Sequence, residues 1–578
     1  MRRIVLALGA AALAWLPTVA PAFEVADAQK GDAAIAARYA AWAVAAAEEG
    51  RWPEAETALE RAADFSDASS DVSYLLALAR LKLDRPAGAA LAAVRTAIEA
   101  DRWDRYGREA AALVEASILI RLRRFDEALD VLKGVGNGSE RTYLRCRALA
   151  DGERFRSAIR DALEAYPEDP RFAALMLDRA SLRPSGDGER ALVDTVLARL
   201  PFLLALDPSL AYRAAPFIRD PEERRRLIGA YRAVSAPAAA ALPQALELGL
   251  VDGSVAVEEL FSAATIDVSV VRSVWALLRE DAERATFMAA FAAFGGSLTE
   301  DRDGDGYVET AARYRGGSLV SSAYDADQDG LPELEIEYAD GVPVRGSAAV
   351  SAEISAESAA AAESKPAATL AAAAERTLAR IEWARYPSVA SVSYGESRYV
   401  PAPTAFPFAP VRLVALVDEG RPSSPRFPKD DPSVSRLSVR SLVSFASVVE
   451  RPGSFMEGAV ERVELVRGIP RRATETVNGR VVSVLEFSRG RPAFRKIDLD
   501  LDGRMETTRR LRASAVSVGL VWEEPIESTE SDWDGDGVSE YAEVHFKNGD
   551  IERSWDMDGD GKRERVVRER PGEVNAIR

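Results

Sequence analysis

An acidic nine-residue segment that occurs five times is the feature that most limits how this 578-residue chain can fold. Its copies span 301–309, 325–333, 498–506, 532–540 and 556–564, and each reads Asp-x-Asp-x-Asp-Gly-x-x-Glu. Positions 1, 3, 5, 6 and 9 are identical in all five copies, whereas positions 2, 4, 7 and 8 vary. A glycine at position 6 indicates a tight turn, and the constant acids are the residues that a hard cation would need.

This spacing of oxygen donors predicts a cation site in each loop. Calcium takes about six to eight oxygen ligands, with carboxylates from alternate positions of a tight loop and a backbone carbonyl from position 7. The four acids of each loop repel one another unless a cation neutralises them. We expect structural Ca²⁺ rather than magnesium, because the donors are many and flexible. The alternative is a set of acidic β-turns, since Asp-Gly is a favoured hairpin turn.

The predicted ligands are the side chains at positions 1, 3, 5 and 9 and the backbone carbonyl at position 7. In the first two loops these residues are Asp301, Asp303, Asp305, Tyr307, Glu309, Asp325, Asp327, Asp329, Leu331 and Glu333. In the last three loops they are Asp498, Asp500, Asp502, Arg504, Glu506, Asp532, Asp534, Asp536, Val538, Glu540, Asp556, Asp558, Asp560, Lys562 and Glu564.

The residues around the loops predict strands rather than the helices of an EF-hand. An EF-hand needs a bidentate Glu at position 12, and only the fourth loop has one, Glu543. Residues 538–546 alternate in character, and 547–550 is a hairpin-turn signal. Loop starts are 24 residues apart in two pairs, 301 with 325 and 532 with 556. The repeating unit is therefore predicted to be loop, strand, Gly turn, strand.

At these residues the chain resembles two known patterns. The loops resemble the Asp-x-Asp-x-Asp-Gly calcium loops of extracellular repeat proteins, including the integrin-type blades. The strand–Asn/Asp-Gly–strand spacing is similar to the MORN-like β-hairpin repeats of exported bacterial proteins. The resemblance covers about 301–341 and 475–570. It does not imply a propeller, because an integrin-type blade is much longer than this repeat.

The charge of the chain is concentrated in the loops. The formal net charge is −18, and the five loops together hold twenty acidic residues. The remainder of the chain is therefore close to neutral. Such a balance argues against nucleic acid as a partner.

The N-terminal residues 1–22 have the pattern of a secretory signal peptide. Arg2 and Arg3 precede a short apolar run, and Ala20-Pro-Ala22 is a small-x-small cleavage site. The alternative is an N-terminal membrane anchor, which Pro17 and the short run disfavour. We expect an exported protein of the bacterial periplasm or cell surface, with no membrane span after cleavage. Its one cysteine, Cys146, excludes an intrachain disulfide.

Residues 25–170 show helical periodicity with a recurring step in which an alanine lies three residues after an aromatic residue. Trp52, Phe125 and Phe155 begin such steps, and in a weaker copy Pro86 takes the place of the aromatic. The alanines are Ala55, Ala89, Ala128 and Ala158. This pattern resembles the tetratricopeptide repeat, in which the small residue lets two helices approach and the aromatic fills the gap to the next unit. The alternative is a generic helical bundle.

The predicted fold class is α+β multidomain, with an N-terminal tetratricopeptide-like α-solenoid and a C-terminal antiparallel β-meander that carries acidic cation-binding loops. Residues 171–295 are predicted to be a degenerate continuation of the solenoid. Residues 296–341 form the first β-hairpin repeats with two loops, and 376–578 an antiparallel β domain with three. Residues 342–375 are rich in Ala, Ser and Glu and predict a linker or isolated helix. Alternating patterns at 438–444, 460–466 and 480–487 predict strands.

Little in the sequence points to catalysis. The only histidine, His545, lies in a predicted strand, so neither a Ser-His-Asp site nor a zinc site with several His or Cys ligands is expected. The chain has no P-loop and no dinucleotide fingerprint. We expect a non-enzymatic scaffold that binds a protein or peptide in the helical groove. The alternative is a cell-envelope glycan-binding protein or glycoside hydrolase that acts through the β region, which an aromatic-lined cleft would favour.

Overall fold

The computed structural model describes residues 31–65, 69–149, 152–182, 187–235, 239–302, 304–350, 378–402, 411–412, 417–418, 421–422, 429–430, 437–517 and 520–570. The predicted signal peptide, the part 351–375 of the predicted linker, and Asp303 lie outside these residues. The described residues fall into two compact units. A helical unit runs to Glu335, and a β unit begins at Ile336.

Apart from one short strand at Thr265–Asp267, the regular structure described in the helical unit as far as residue 293 is helical. In chain order the helices are α1 Gly31–Glu48, α2 Trp52–Ala63, α3 Ser70–Lys82, α4 Ala87–Ala100, α5 Arg108–Arg121, α6 Phe125–Lys133, α7 Ser139–Ala148, α8 Gly152–Ala165, α9 Pro170–Leu182, α10 Asp187–Leu206, α11 Leu210–Ala214, α12 Pro221–Val234, α13 Leu242–Glu247, α14 Gly253–Ser262, α15 Val268–Leu277 and α16 Asp281–Ala293. Single 3₁₀ turns lie at Ala215–Phe217 and Ala239–Ala241. Within the described ranges, no helix combines the length and the apolar character that crossing a bilayer requires.

Successive helices pack as antiparallel hairpins, which confirms the predicted class of helical repeat. Helices α1 and α2, α3 and α4, and α5 and α6 pair in this way. Ala55, Ala128 and Ala158 are buried, as expected of small residues that let two helices approach closely. Ala89 is only half-buried, and Ala87 and Ala90 are fully buried in its place. The prediction of Ala89 as the contact residue was therefore wrong, because without an aromatic residue nothing in the sequence marks the contact.

A small sheet ends the helical unit. β1 (Thr265–Asp267) pairs in parallel with β2 (Ser297–Glu300), which pairs antiparallel with β3 (Thr310–Arg315), and β3 pairs antiparallel with β4 (Ser318–Tyr324). The loop 301–309 joins β2 to β3, and 325–333 joins β4 to β5 (Leu334–Ala339). Tyr314 on β3 packs edge-on against Phe291 of α16, with ring centres 5.4 Å apart. The sheet is thus fixed to the last helix. β1 was not predicted, because three residues carry too little periodicity.

The β unit is an antiparallel meander, as predicted. Its strands are β6 Val342–Ala349, β7 Leu378–Arg385, β8 Ser388–Tyr394, β9 Ser397–Pro401, β10 Ala446–Pro452, β11 Val460–Val466, β12 Ile469–Val477, β13 Arg480–Ser488, β14 Arg491–Ile497, β15 Thr507–Leu511, β16 Ile526–Ser531, β17 Tyr541–His545, β18 Ile551–Trp555 and β19 Arg565–Glu569. Each of these strands pairs antiparallel with the next. Shorter two-residue strands lie at Val411–Arg412, Val417–Asp418, Arg421–Pro422 and Lys429–Asp430.

Two predictions about the β region were wrong. The residues 438–444 are not a strand, because Val439–Phe445 forms a helix, α17. The Ser438 hydroxyl accepts a hydrogen bond from the Ser441 amide and caps its first turn, which alternation in so short a segment cannot reveal. The predicted linker also begins too early, because Val342–Ala349 is strand β6, paired with β7. Its buried residues are small, so their composition hid the strand.

Candidate cation-binding loops

Side chains at the constant positions close each loop with hydrogen bonds to its own backbone. In the fourth loop, Asp532 accepts hydrogen bonds from the amides of Gly535 and Gly537 at 2.8 and 3.0 Å. Glu540 accepts from the amide at position 2, with 2.6 Å between Oε2 and N. Asp536 accepts from the amide at position 7 at 2.7 Å. The bonds from positions 2, 6 and 7 recur in all five loops.

The backbone explains the invariant glycine and also shows a second restricted position. At position 6, φ lies between +84° and +103° in the five loops, which favours glycine. Position 4 is left-handed as well, with φ between +57° and +77°. The residues there are Gly304, Gln328, Leu501, Gly535 and Gly559. The sequence variation at position 4 suggested that any residue is accepted there. The backbone shows instead that this position is conformationally restricted.

In the second to fifth loops, the structure brings predicted acidic ligands together. One carboxylate oxygen from each of Asp498, Asp500, Asp502 and Glu506 lies within 4.8 Å of the others. The same holds for the four acids of the fourth and fifth loops and for the three aspartates of the second. Oxygens on opposite sides of a calcium ion are about 5 Å apart, because each ligand lies about 2.3–2.6 Å from the ion. The spacing of the donors therefore fits a cation of this size.

The third loop contains carboxylate oxygens that its hydrogen bonds leave unsatisfied. Asp498 is 1% exposed, and its Oδ2 accepts from the Gly503 amide at 2.9 Å. Its Oδ1 and the Oε1 of Glu506 are shielded from solvent and have no hydrogen-bond partner. A buried charged oxygen without a partner is strongly destabilising. The donor set therefore fits a bound cation better than a plain acidic turn.

The first two loops hold their leading aspartates in a poorly solvated position. Burial raises the pKa of Asp301 to about 7 and that of Asp325 to about 6, against the effect of backbone amides that hydrogen-bond to each. Neighbouring acids of the same loop raise both pKa values further. A positive ion among these groups would remove that penalty.

The fifth loop contains its own counter-charge. Lys562, at position 7, donates a hydrogen bond from Nζ to Asp560 at 2.8 Å. This lysine holds the pKa of Asp560 below its ordinary value. A cation entering the fifth loop therefore competes with a charge that is already present.

The first two loops also lie against the C-terminal ends of helices in the helical unit. Arg147, buried near the end of α7, donates to the backbone carbonyl of Asp305 at 2.9 Å. Arg121, the last residue of α5, donates to the carbonyl of Gln328 at 3.0 Å. The Tyr307 ring lies near both guanidinium groups, 5.3 Å from that of Arg121 and 5.4 Å from that of Arg147. These contacts attach both loops to the helical hairpins.

Sequence reasoning missed this attachment. The chain separates the bonded partners by 158 and 207 residues, and no local pattern links arginines at helix ends to acidic loops. The Ala87 amide, at the start of α4, also donates to the Asp329 carbonyl, at 2.5 Å. Between helices and loops lies a cavity of about 460 Å³, lined by residues that include Val44, Leu75 and Ile118.

The single histidine and the single cysteine of the chain both make structural contacts. His545 lies on β17, with its Nε2 2.5 Å from a carboxylate oxygen of Glu543. That carboxylate also accepts hydrogen bonds from Tyr541 and Arg553. Cys146 is buried in the helical core, and burial raises the pKa of its thiol to about 12.

No family model matches the chain. Its sequence is similar to that of an uncharacterized protein of Treponema pallidum (strain Nichols), with 25% identity over 589 aligned residues that cover 83% of this chain and 73% of the relative. The resemblance of the hairpins to MORN-like repeats stays a prediction.

Two solved structures are similar to the helical part of the chain. One is a tetratricopeptide repeat protein from Parabacteroides merdae ATCC 43184, with 12% identity and a TM-score of 0.30, covering 44% of this chain and 98% of that one. The other is the tetratricopeptide repeat domain of P58(IPK), with 14% identity and a TM-score of 0.22, covering 44% of this chain and 64% of that one. At such scores the likeness carries no inference about function.

Proposed function

We propose that the protein is an exported, non-catalytic scaffold whose helical hairpins bind a protein partner and whose loops are stiffened by bound calcium ions. The proposal of export rests on the sequence pattern of residues 1–22. The proposal of calcium rests on the clustered carboxylates and, above all, on the unpartnered oxygens of Asp498 and Glu506.

The partner surface is proposed on the outward face of α1, and one observation supports it. Ile35 and Trp42 are 39% and 45% exposed, and they lie seven residues apart, which places them two turns apart on one side of the helix. Exposed tryptophan on a rigid helix is the type of side chain that dominates binding energy in protein interfaces. The ends of α5 and α7, by contrast, are already covered by the chain's own loops through Arg121 and Arg147.

A photo-crosslinking amino acid at position 42 tests this proposal in the full chain. We expect crosslinks to a defined protein from envelope extract, and we expect Trp42→Glu to abolish co-purification of the same protein. Val255, which is exposed on α14, is the matched control position. Equal crosslinking from positions 42 and 255, or an unchanged yield with Trp42→Glu, would show that α1 is not the partner surface.

The glycan alternative predicted an aromatic-lined cleft in the β region. Among the described residues of that unit, the exposed aromatic side chains are Phe494 and Trp533. Trp533 stacks on Tyr541 with ring centres 6.2 Å apart. This pair belongs to the fourth loop and the strand that follows it. The position of Trp533 in a loop favours a contact other than sugar binding in a cleft of the sheet.

A further inference from the structure

The last three loops lie side by side along the border of the meander at which the strands β14 to β19 end. They connect β14 to β15, β16 to β17, and β18 to β19, and the strands from β14 to β19 are consecutive antiparallel neighbours. Because alternate connections of a meander lie at opposite ends of the strands, these three connections share one end. Each loop is two strands from the next, or about 9–10 Å. We call residues 498–506, 532–540 and 556–564 the loop edge.

Each loop of the loop edge presents an apolar side chain to solvent at position 2. Leu499, Trp533 and Met557 are 49%, 56% and 75% exposed. The backbone amide of each donates to the glutamate at position 9 of its own loop, which fixes the backbone that carries the side chain. In the loops that pack on the helices, position 2 is Arg302 or Ala326. Large apolar residues at position 2 therefore occur only in the loops of the loop edge.

The carboxylate clusters of the loop edge are open on their outer side. The aspartates at positions 3 and 5 of all three loops are exposed, whereas Asp498 and Asp556, at position 1, are buried. A cation held from the buried side would keep ligand positions free toward solvent. Those positions favour hard anionic oxygens, such as those of phosphate. This step depends on the cation sites of the proposed function, for which the unpartnered Asp498 Oδ1 is the independent observation.

We propose that the loop edge binds the surface of an anionic phospholipid membrane when its loops hold calcium. The bound ions would join lipid phosphates to the carboxylate clusters, while Leu499, Trp533 and Met557 enter the apolar layer. A phospholipid surface presents anionic oxygens and an apolar layer in one plane, which matches the row of ions and apolar side chains. Without cations, the twelve acids of the loop edge repel such a surface.

Co-sedimentation of the full chain with lipid vesicles tests the proposal. The vesicles contain either phosphatidylcholine alone or equal amounts of phosphatidylcholine and phosphatidylglycerol, with calcium or with chelator. We expect binding only with phosphatidylglycerol and calcium together. The double variant Trp533→Gln with Met557→Gln should bind on the order of tenfold more weakly, because less apolar area enters the bilayer. Val544→Gln, at an exposed position near the opposite end of β17, should bind as the wild type does.

Calorimetric titration with calcium chloride separates this proposal from the cation sites on which it rests. Normal calcium binding by the double variant, with weakened vesicle binding, supports the membrane contact. Three results overturn the membrane contact and leave the cation sites standing. They are normal calcium binding by the wild type without vesicle binding, equal binding of the wild type to pure phosphatidylcholine, and vesicle binding by the double variant as strong as that of the wild type. If the double variant loses a protein partner instead of vesicle binding, the loop edge is a protein interface. No calcium binding by the wild type overturns both proposals.

Discussion

At position 4 of the Asp loops, the backbone is left-handed whatever side chain is present. Leu501 has φ +64° and Gly559 has φ +75° at equivalent places. An L-residue in this conformation is disfavoured, whereas glycine adopts it freely. The third loop therefore stores backbone strain that the fifth loop does not.

The change Gly559→Ala should lower the free energy of unfolding of the β unit by about 1 kcal/mol. A Cβ at this position would meet no atom within 4 Å, so the loss comes from the backbone alone. The reverse change, Leu501→Gly, should stabilise the β unit slightly, because the higher unfolded-state entropy of glycine offsets part of the relieved strain. Denaturant unfolding without calcium measures both. Effects of the same sign in the two variants would contradict this view of position 4.

Lys562→Met should raise the calcium affinity of the fifth loop. The variant removes the ion pair with Asp560 and the positive charge that opposes an entering cation. Since exposed ion pairs are weak, we expect a gain of about two- to fivefold. Calorimetric calcium titration measures the change, with Lys547→Met, an exposed lysine of the 547–550 turn, as the control. An unchanged affinity would mean that Lys562 leaves the loop without cost when the ion binds.

Among the elements, the helical hairpins depend on small residues at the crossing points. Ala128 on α6 is fully buried, and its position follows Phe125 by three residues. The aromatic residue at the start of the second helix and the alanine one turn later thus serve different contacts. A large side chain at the alanine would have to push the two helices of the hairpin apart.

Ala128→Trp should lower the stability of the helical unit by about 1–3 kcal/mol through overpacking. Asp126→Trp places the same side chain on the exposed face of α6 and should have little effect. Thermal unfolding followed by the helical circular dichroism signal compares the two variants. Equal transitions would show that position 128 tolerates bulk and that the hairpin packing has been misassigned.

The parts of the fold that the sequence predicts are those with a repeated local pattern. Alternation predicted strands such as Val460–Val466, and the aromatic-x-x-Ala step predicted hairpins through Ala55 and Ala128. A local pattern predicts the wrong secondary structure where a single contact determines whether a segment is helix or strand. The Ser438 cap turns an alternating segment into a helix, and the buried positions of strand β6 carry residues too small to give an apolar alternation.

The sequence predicted which acidic residues form the candidate site, but it did not predict which other residues contact the loops. Spacing alone predicted the carboxylate groups that the structure shows in the second to fifth loops, as in 498–506, although the bound ion stays a prediction. The contacts of Arg121 and Arg147 with the first two loops depend on long-range folding, which single-sequence periodicity does not encode. The left-handed position 4 was hidden because two loops tolerate a non-glycine residue there.

For the whole molecule, the acidic loops concentrate negative charge at a few points of both units. The chain has a net charge of −18, and its loops hold twenty acids. Two loops belong to the helical unit and three to the β unit. Cations that bind only the folded loops therefore stabilise both units, and the β unit has more sites.

Removal of calcium should lower the melting temperature of both units, with the larger shift in the β unit. At a free concentration of about a hundred times Kd, each site adds about 2.7 kcal/mol if the unfolded chain does not bind. Thermal scans with calcium and with chelator, read in the far ultraviolet where helix and sheet differ, measure the two shifts. Magnesium at the same concentration is the control for ion type. Coincident scans with calcium and chelator would mean that the loops are structural turns.

The hydrogen bond between Arg121 and Gln328 sets an order of events during synthesis. The helices leave the ribosome first, and about two hundred further residues must be translated before the loop that covers them exists. Until then the Arg147 guanidinium lacks its carbonyl partner, and the cavity lined by Val44, Leu75 and Ile118 lacks the loops that form part of its wall. A nascent chain that pauses near residue 295 therefore displays an unfinished apolar surface. It is at this stage, rather than after release, that a chaperone would find a binding site on the helices.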